Sequence, residues 1–227
     1  MSSNAALGRT ERQRRRNGAT LLSCARCLLP LLLLLGRPFW LRAQPDVTNR
    51  VLAFDGKRSH VELPSGSFQS LTQATVEGWI QWERLDDDQR FFDFGDKNQE
   101  MYVSTRGTSG TLKLLISEGG SVRHRLEVPR LLTARQWNHV AVVTGPGGLR
   151  LYFNGWIATS SGYTGSLNSI SGRHYYIGRE NSRAAPTAFL EGRVDEFRVW
   201  AVERSADEIR ETMFLRLKLW LVSYIPH

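Results

Sequence analysis

Two short stretches carry carboxylates where chemistry could follow. In "GRVDEFRVW" (192–200) the residue types read as a β-strand. Strict alternation would place Asp195 on one face with Phe197 and Val199, and Glu196 and Arg198 on the other. The face bearing Phe197 and Val199 is the apolar one, so Asp195 is expected to be buried. A lone buried carboxylate costs several kcal/mol, to order of magnitude, unless it is paired, hydrogen-bonded or bound to a metal. Arg198 would point away from it. Backbone N–H groups of a facing loop are one solution, and a cation is another. In "LAFDGKRSH" (52–60), Asp55 ends an extended run directly before Gly56, where the backbone can turn tightly and present its carbonyls.

Other candidate groups carry less. "RLDDDQRFFDFGDK" (84–97) holds Asp86, Asp87, Asp88, Asp93 and Asp96, which read as a solvated turn rather than a cation site. The five histidines (60, 124, 139, 174 and 227) form no metal-ligand spacing, and no serine sits in a nucleophile elbow. His139, inside "WNHVAVV", reads as structural. Catalysis is therefore not expected. Binding is, because the body of the chain is rich in Trp and Tyr, side chains suited to stacking on sugars or filling interfaces. Trp156 follows directly on Asn154-Gly155 and is expected to be exposed; Tyr152 and Tyr102 are further ligand-binding candidates, with Tyr163, Tyr175 and Tyr176 behind them.

The formal charge of +8 would suggest nucleic acid, but its distribution removes that class. Residues 1–43 hold eight arginines and one acid, whereas the remainder holds 22 Lys and Arg against 21 Asp and Glu. The leader has the parts of a signal peptide: basic "RTERQRRR", apolar "LLSCARCLLPLLLLL" and a cleavage point after Ala43. Its uninterrupted apolar run, Cys27 to Leu35, is short for a membrane span of about 20 residues. An uncleaved signal anchor is the alternative, and only then would the membrane be a partner. Export to the cell surface, periplasm or medium is expected. Both cysteines, Cys24 and Cys27, lie in this leader, so no disulfide is expected in the exported body.

The elements that must position these groups are strands. Twelve extended runs separated by turn signals are expected at 50–55, 60–63, 74–82, 90–95, 100–105, 111–117, 122–128, 137–145, 149–154, 156–161, 174–179 and 192–200. That number suits two packed antiparallel sheets, an all-β sandwich, better than one open sheet. Asn154-Gly155 marks a type I′ hairpin. One helix is expected over 205–217, with Ser205 and Glu208 as a capping box and Ile209, Met213 and Leu217 facing the sandwich.

The ordered segments "LAFDGKRSHVELP" (52–64), "ATVEGWIQW" (74–82), "WNHVAVV" (137–143), "LRLYFNG" (149–155), "YYIGR" (175–179) and "GRVDEFRVWAVERSADEI" (192–209) resemble the LamG-like, concanavalin A-like jelly-roll superfamily in its bacterial form. The resemblance implies a single domain over 47–217, with Trp79, Trp137 and Trp200 serving its core. It also implies first and last strands lying side by side, bridged by a structural calcium; Asp55 and Asp195 match the two acidic positions. Calcium would need six to eight oxygens, so carbonyls and water would complete the set. Backbone-satisfied carboxylates, or a direct ligand-binding role, are the other readings of these residues. Relatives that hydrolyse β-glucans place three acids as Glu-x-Asp-x-x-Glu, a spacing this body lacks. Relatives also close with an apolar-Gly-aromatic strand, which "LWLVSY" (219–224) supplies in altered or truncated form. The resemblance implies a non-catalytic module for a glycan or envelope polymer, or alternatively an adhesion module for a surface protein.

Overall fold

The structure is a computed structural model and describes residues 50–96, 98–170, 172–181 and 188–216. The expected leader (1–43) and closing segment (218–227) lie outside the described residues. All twelve expected strands are present. One sheet has the order β1 (Leu52–Asp55), β12 (Glu191–Trp200), β3 (Ala74–Trp82), β8 (Asn138–Thr144), β9 (Leu149–Phe153), β10 (Trp156–Ser161). The second has the order β2 (Val61–Leu63), β11 (His174–Ile177), β4 (Arg90–Asp96), β5 (Gln99–Arg106), β6 (Thr111–Glu118), β7 (Ser121–Val128). Every pairing is antiparallel.

Alternation along β3 sends Ala74, Val76, Ile80 and Trp82 into the core between the sheets. There they meet Phe91, Phe92, Phe94 and Tyr175 of the second sheet. The intervening β3 residues, Glu77 and Trp79 among them, face outward. Asn154 (φ 51°) and Gly155 (φ 80°) both take the left-handed conformation, as a type I′ hairpin requires.

The helix, α1 (Ala206–Thr212), lies on the outer face of the first sheet and buries Ile209 against Ala141, Val143 and Tyr152. Its start is as expected: Ser205 and Glu208 form both bonds of the capping box. Its end comes five residues early. Arg198 Nη1 donates to Thr212 O (3.0 Å) and Trp79 Nε1 to Met213 O (2.7 Å), so side chains take the last carbonyls in place of further helical turns. Ile209 faces the sandwich as expected, Met213 turns to a neighbouring cleft, and Leu217 lies outside the described residues.

Candidate functional site

β12 departs from strict alternation. Between Asp195 and Arg198 its register against β3 shifts, and Glu196 takes φ 49°. Two residues, Glu196 and Phe197, fall opposite Gly78 in a β-bulge. Gly78 allows this close approach: a Cβ there would stand 3.1 Å from Phe197 Cα. The bulge leaves Phe197 and Val199 facing inward and Arg198 outward, as expected, but moves Asp195 to the outer face. Phe197 packs its ring on Phe91 and Phe92 in the core, and Val199 pairs with Val76. Asp195 pairs with Trp79 and Arg198 with Glu77, both on the outer face. Asp195 is therefore not buried with Phe197 and Val199, and Arg198 shares its face; the alternation argument fails because one extra residue is inserted.

On that face Asp195 and Trp79 line a cleft of about 550 Å³. Trp137, just before β8, stands at its edge with 37% of its surface exposed. The turn after α1 brings Met213, Phe214 and Arg216, while Arg193 and Glu196 add charge from β12. Phe214 tilts against Trp79 with ring centroids 5.3 Å apart. Arg198 holds these parts in place: it donates to Glu196 Oε2 (2.8 Å), to Thr212 O and to Leu215 O, fastening the bulge to the turn.

Beneath the helix lies a buried charge network. Glu77, fully buried, accepts from Trp200 Nε1 (2.8 Å) and Arg204 Nη1 (2.7 Å), with Arg198 Nη1 at 3.8 Å. His139 lies 4.0 Å from Glu77; burial and the positive fields of Arg198 and Arg204 push its pKa down to about 3, so the imidazole is neutral.

Residues 55–210 match the profile of the concanavalin A-like lectin/glucanases superfamily, laminin G type. The chain belongs to this superfamily. No curated protein matches it in sequence. Among solved structures, the superfamily fold is shared with the CBM40 of Ruminococcus gnavus IT-sialidase bound to α2,3-sialyllactose (15% identity, TM-score 0.57, covering 69% of this chain and 97% of that one). A SAP-like pentraxin from Limulus polyphemus matches at 22% identity and TM-score 0.52, over 70% of this chain and 78% of that one. A putative carbohydrate-binding protein from Bacteroides ovatus matches at 20% and 0.54, over 72% and 47%. These likenesses are likenesses of fold.

Within this superfamily fold the side-by-side β1 and β12 are as the resemblance implied, but they do not bring Asp55 and Asp195 together. Asp55 pairs with Glu191, four residues from Asp195, or about 13 Å along the strand. Asp55 Oδ1 is taken by the N–H groups of Lys57, Arg58 and Ser59, each at 2.9 Å, which hold its pKa well below the usual carboxylate range. Among the described residues, no cluster of three or more His, Cys, Asp or Glu is placed to hold a metal. The two residues thus do not fit a shared calcium; Asp55 is a turn cap, and Asp195 belongs to the cleft.

The aromatic expectations divide. Trp156 is exposed as expected (67%), with Arg210 over its ring at 4.4 Å, but it stands at the hairpin away from the cleft lining. Tyr152 is buried under α1, which covers the face its strand presents. Tyr102 is buried on the outer face of the second sheet beneath Arg90, whose guanidinium lies 3.6 Å from the ring centroid. Trp79, Trp137 and Trp200 are not core residues: two line the cleft and the third donates to Glu77. The signal for Trp79 was legible, since it shares parity in "ATVEGWIQW" with Glu77 and Gln81 rather than with Ile80 and Trp82.

Proposed function

We propose that this chain is an exported, non-catalytic carbohydrate-binding module that seats a glycan in the cleft beside the β12 bulge. The carrying observation is the placement of two indole rings, Trp79 and Trp137, on the same cleft as the Asp195 carboxylate. Sugar rings offer apolar C–H faces to aromatics and hydroxyls to carboxylates, and this cleft supplies both kinds of surface. A volume near 550 Å³ suits a short oligosaccharide or the end of a longer one. Solved structures of shared fold, including a CBM40 bound to sialyllactose, support the reading. Glu196 is clamped by Arg198, which suits it to shaping the cleft rather than to acid–base work. Export rests on the leader.

A second reading, attachment to a surface protein, is favoured by one observation: Trp156 and Ile157 stand exposed side by side at the β9–β10 hairpin. A glycan array probed with the full chain separates the two. The module reading predicts retention by at least one glycan class and its loss in Trp137→Ala and in Asp195→Ala. Retention by no glycan would overturn it in favour of protein attachment through the hairpin.

A further inference from the structure

Ahead of its bulge, β12 presents Glu191, Arg193 and Asp195 on the outer face by simple alternation. Arg193 pairs across the sheet with Gln81 of β3, and Asp195 with Trp79. Gln81 follows Ile80, which pairs with Asn138, so the Arg193 row leads on to Trp137 at the approach to β8. The cleft floor therefore has two neighbouring rows, Asp195 beside Trp79 and Arg193 beside Gln81 and Trp137. Phe214 already tilts against Trp79, which leaves Trp137 as the more open of the two rings.

The carboxylates around Arg193 are matched by other groups. Glu191 takes Arg84, Glu83 takes Arg135 and Glu196 takes Arg198, each at 2.8 Å. Asp195 Oδ1 accepts the backbone N–H of Glu196 at 2.9 Å. Arg193 differs: among the described residues, its Nη1 donates to the neutral Gln81 Oε1 at 3.0 Å. Gln81 is itself fixed, donating through Nε2 to Arg135 O at 3.0 Å. This relay draws the guanidinium over β3, on the Trp137 side of the cleft, and orients it without cancelling its charge. The Arg193 side chain is exposed, and a guanidinium held through one nitrogen keeps its other donors for an incoming group.

Resting on the reading of this cleft as a glycan site, we propose that its ligand is an acidic glycan of hexuronic acid units, whose carboxylate Arg193 receives. The planar fork of a guanidinium matches a carboxylate through two parallel hydrogen bonds. A hexuronate carries its carboxylate equatorially, in the plane of the pyranose ring. A ring stacked on Trp137 can therefore point that group sideways along the row to Arg193. Strands lie about 4.8 Å apart, so the two ends of this row stand about 10 Å apart, a span that one sugar ring and an arginine side chain fill. Asp195, in the neighbouring row, is placed to accept a hydroxyl, and the two charges together fix which way the ring lies. An α-sialoside, with its carboxylate axial to the ring, cannot meet Trp137 and Arg193 in this manner.

The test is calorimetric titration of the full chain with short oligosaccharides of galacturonate, glucuronate and mannuronate, each beside its carboxyl-reduced, neutral counterpart, and with α2,3-sialyllactose. At least one uronate should bind about ten-fold more tightly than its reduced form, the worth of one charge-assisted contact. That advantage should shrink as salt is raised from about 50 to about 500 mM. Arg193→Gln should bring the acidic and reduced forms level, and Arg193→Lys, which keeps the charge without the fork, should restore only part of the difference. Acidic and reduced forms bound alike by the wild type, or a difference that survives Arg193→Gln, would overturn the inference. So would sialyllactose bound in place of every uronate. Retention of a neutral glycan through Trp137 with no uronate bound would sink the acid assignment and leave the cleft reading standing. Binding of no glycan of either kind would remove the cleft reading and this inference with it.

Discussion

Glu77 shows how much one side chain can hold together. Its carboxylate is the shared acceptor of Trp200 and Arg204, and Arg198 stands close by. Removing it would leave the buried Arg204 guanidinium without its counter-charge and Arg198 with Glu196 alone. We expect Glu77→Ala to lose about 3–5 kcal/mol of stability in urea unfolding, and to loosen the cleft turn that Arg198 fastens. His139 adds a pH dependence. Its folded value near 3 lies below the ordinary 6.5, so its contribution is present above about pH 6.5 and lost as pH falls through 3. His139→Gln should flatten that acid limb, read as the difference in urea midpoint from the wild type between pH 7 and pH 4. At this scale the sequence was partly legible. The parity of Trp79 announced its outward direction, and Asp55 before Gly56 announced a turn. The face of Asp195 was hidden, because a single inserted residue puts it out of phase with Phe197 and Val199.

At the scale of elements, turn and capping chemistry carried most of the information. Asn154-Gly155 specified its hairpin by the need for positive φ at both positions, and the structure meets that need. A Cβ on Gly155 would also stand 2.4 Å from Arg210 Cγ. Gly155→Ala should therefore cost about 1–2 kcal/mol and disturb the Arg210 stack on Trp156, which a chemical melt and tryptophan emission would both report. Ile209 anchors α1 on Ala141, Val143 and Tyr152; Ile209→Ala should cost about 2–5 kcal/mol and lower stability without removing the sandwich signature in circular dichroism. The strands were readable because each of them, β12 apart, keeps one apolar face or a continuous apolar run. The helix end was not readable, since it depends on Arg198 and Trp79, distant in sequence, capturing carbonyls at 212–215.

For the whole molecule, two six-stranded sheets enclose one aromatic-rich core, and the proposed cleft lies on the outer face of the first. The two-sheet sandwich and the pairing of its first and last strands were foreseeable from the ordered segments that mark the superfamily. The cleft was not, because it is assembled from β3, β12, the approach to β8 and the turn after α1, which no local pattern joins. The central claim is that this cleft takes the glycan. It is tested most directly by titrating the wild type, Trp137→Ala and Trp156→Ala with a glycan retained on the array, following heat of binding. We predict about a ten-fold loss of affinity for Trp137→Ala, the worth of one stacked ring, and an unchanged affinity for Trp156→Ala. Affinity that survives Trp137→Ala and collapses in Trp156→Ala would contradict the account and move the binding surface to the hairpin.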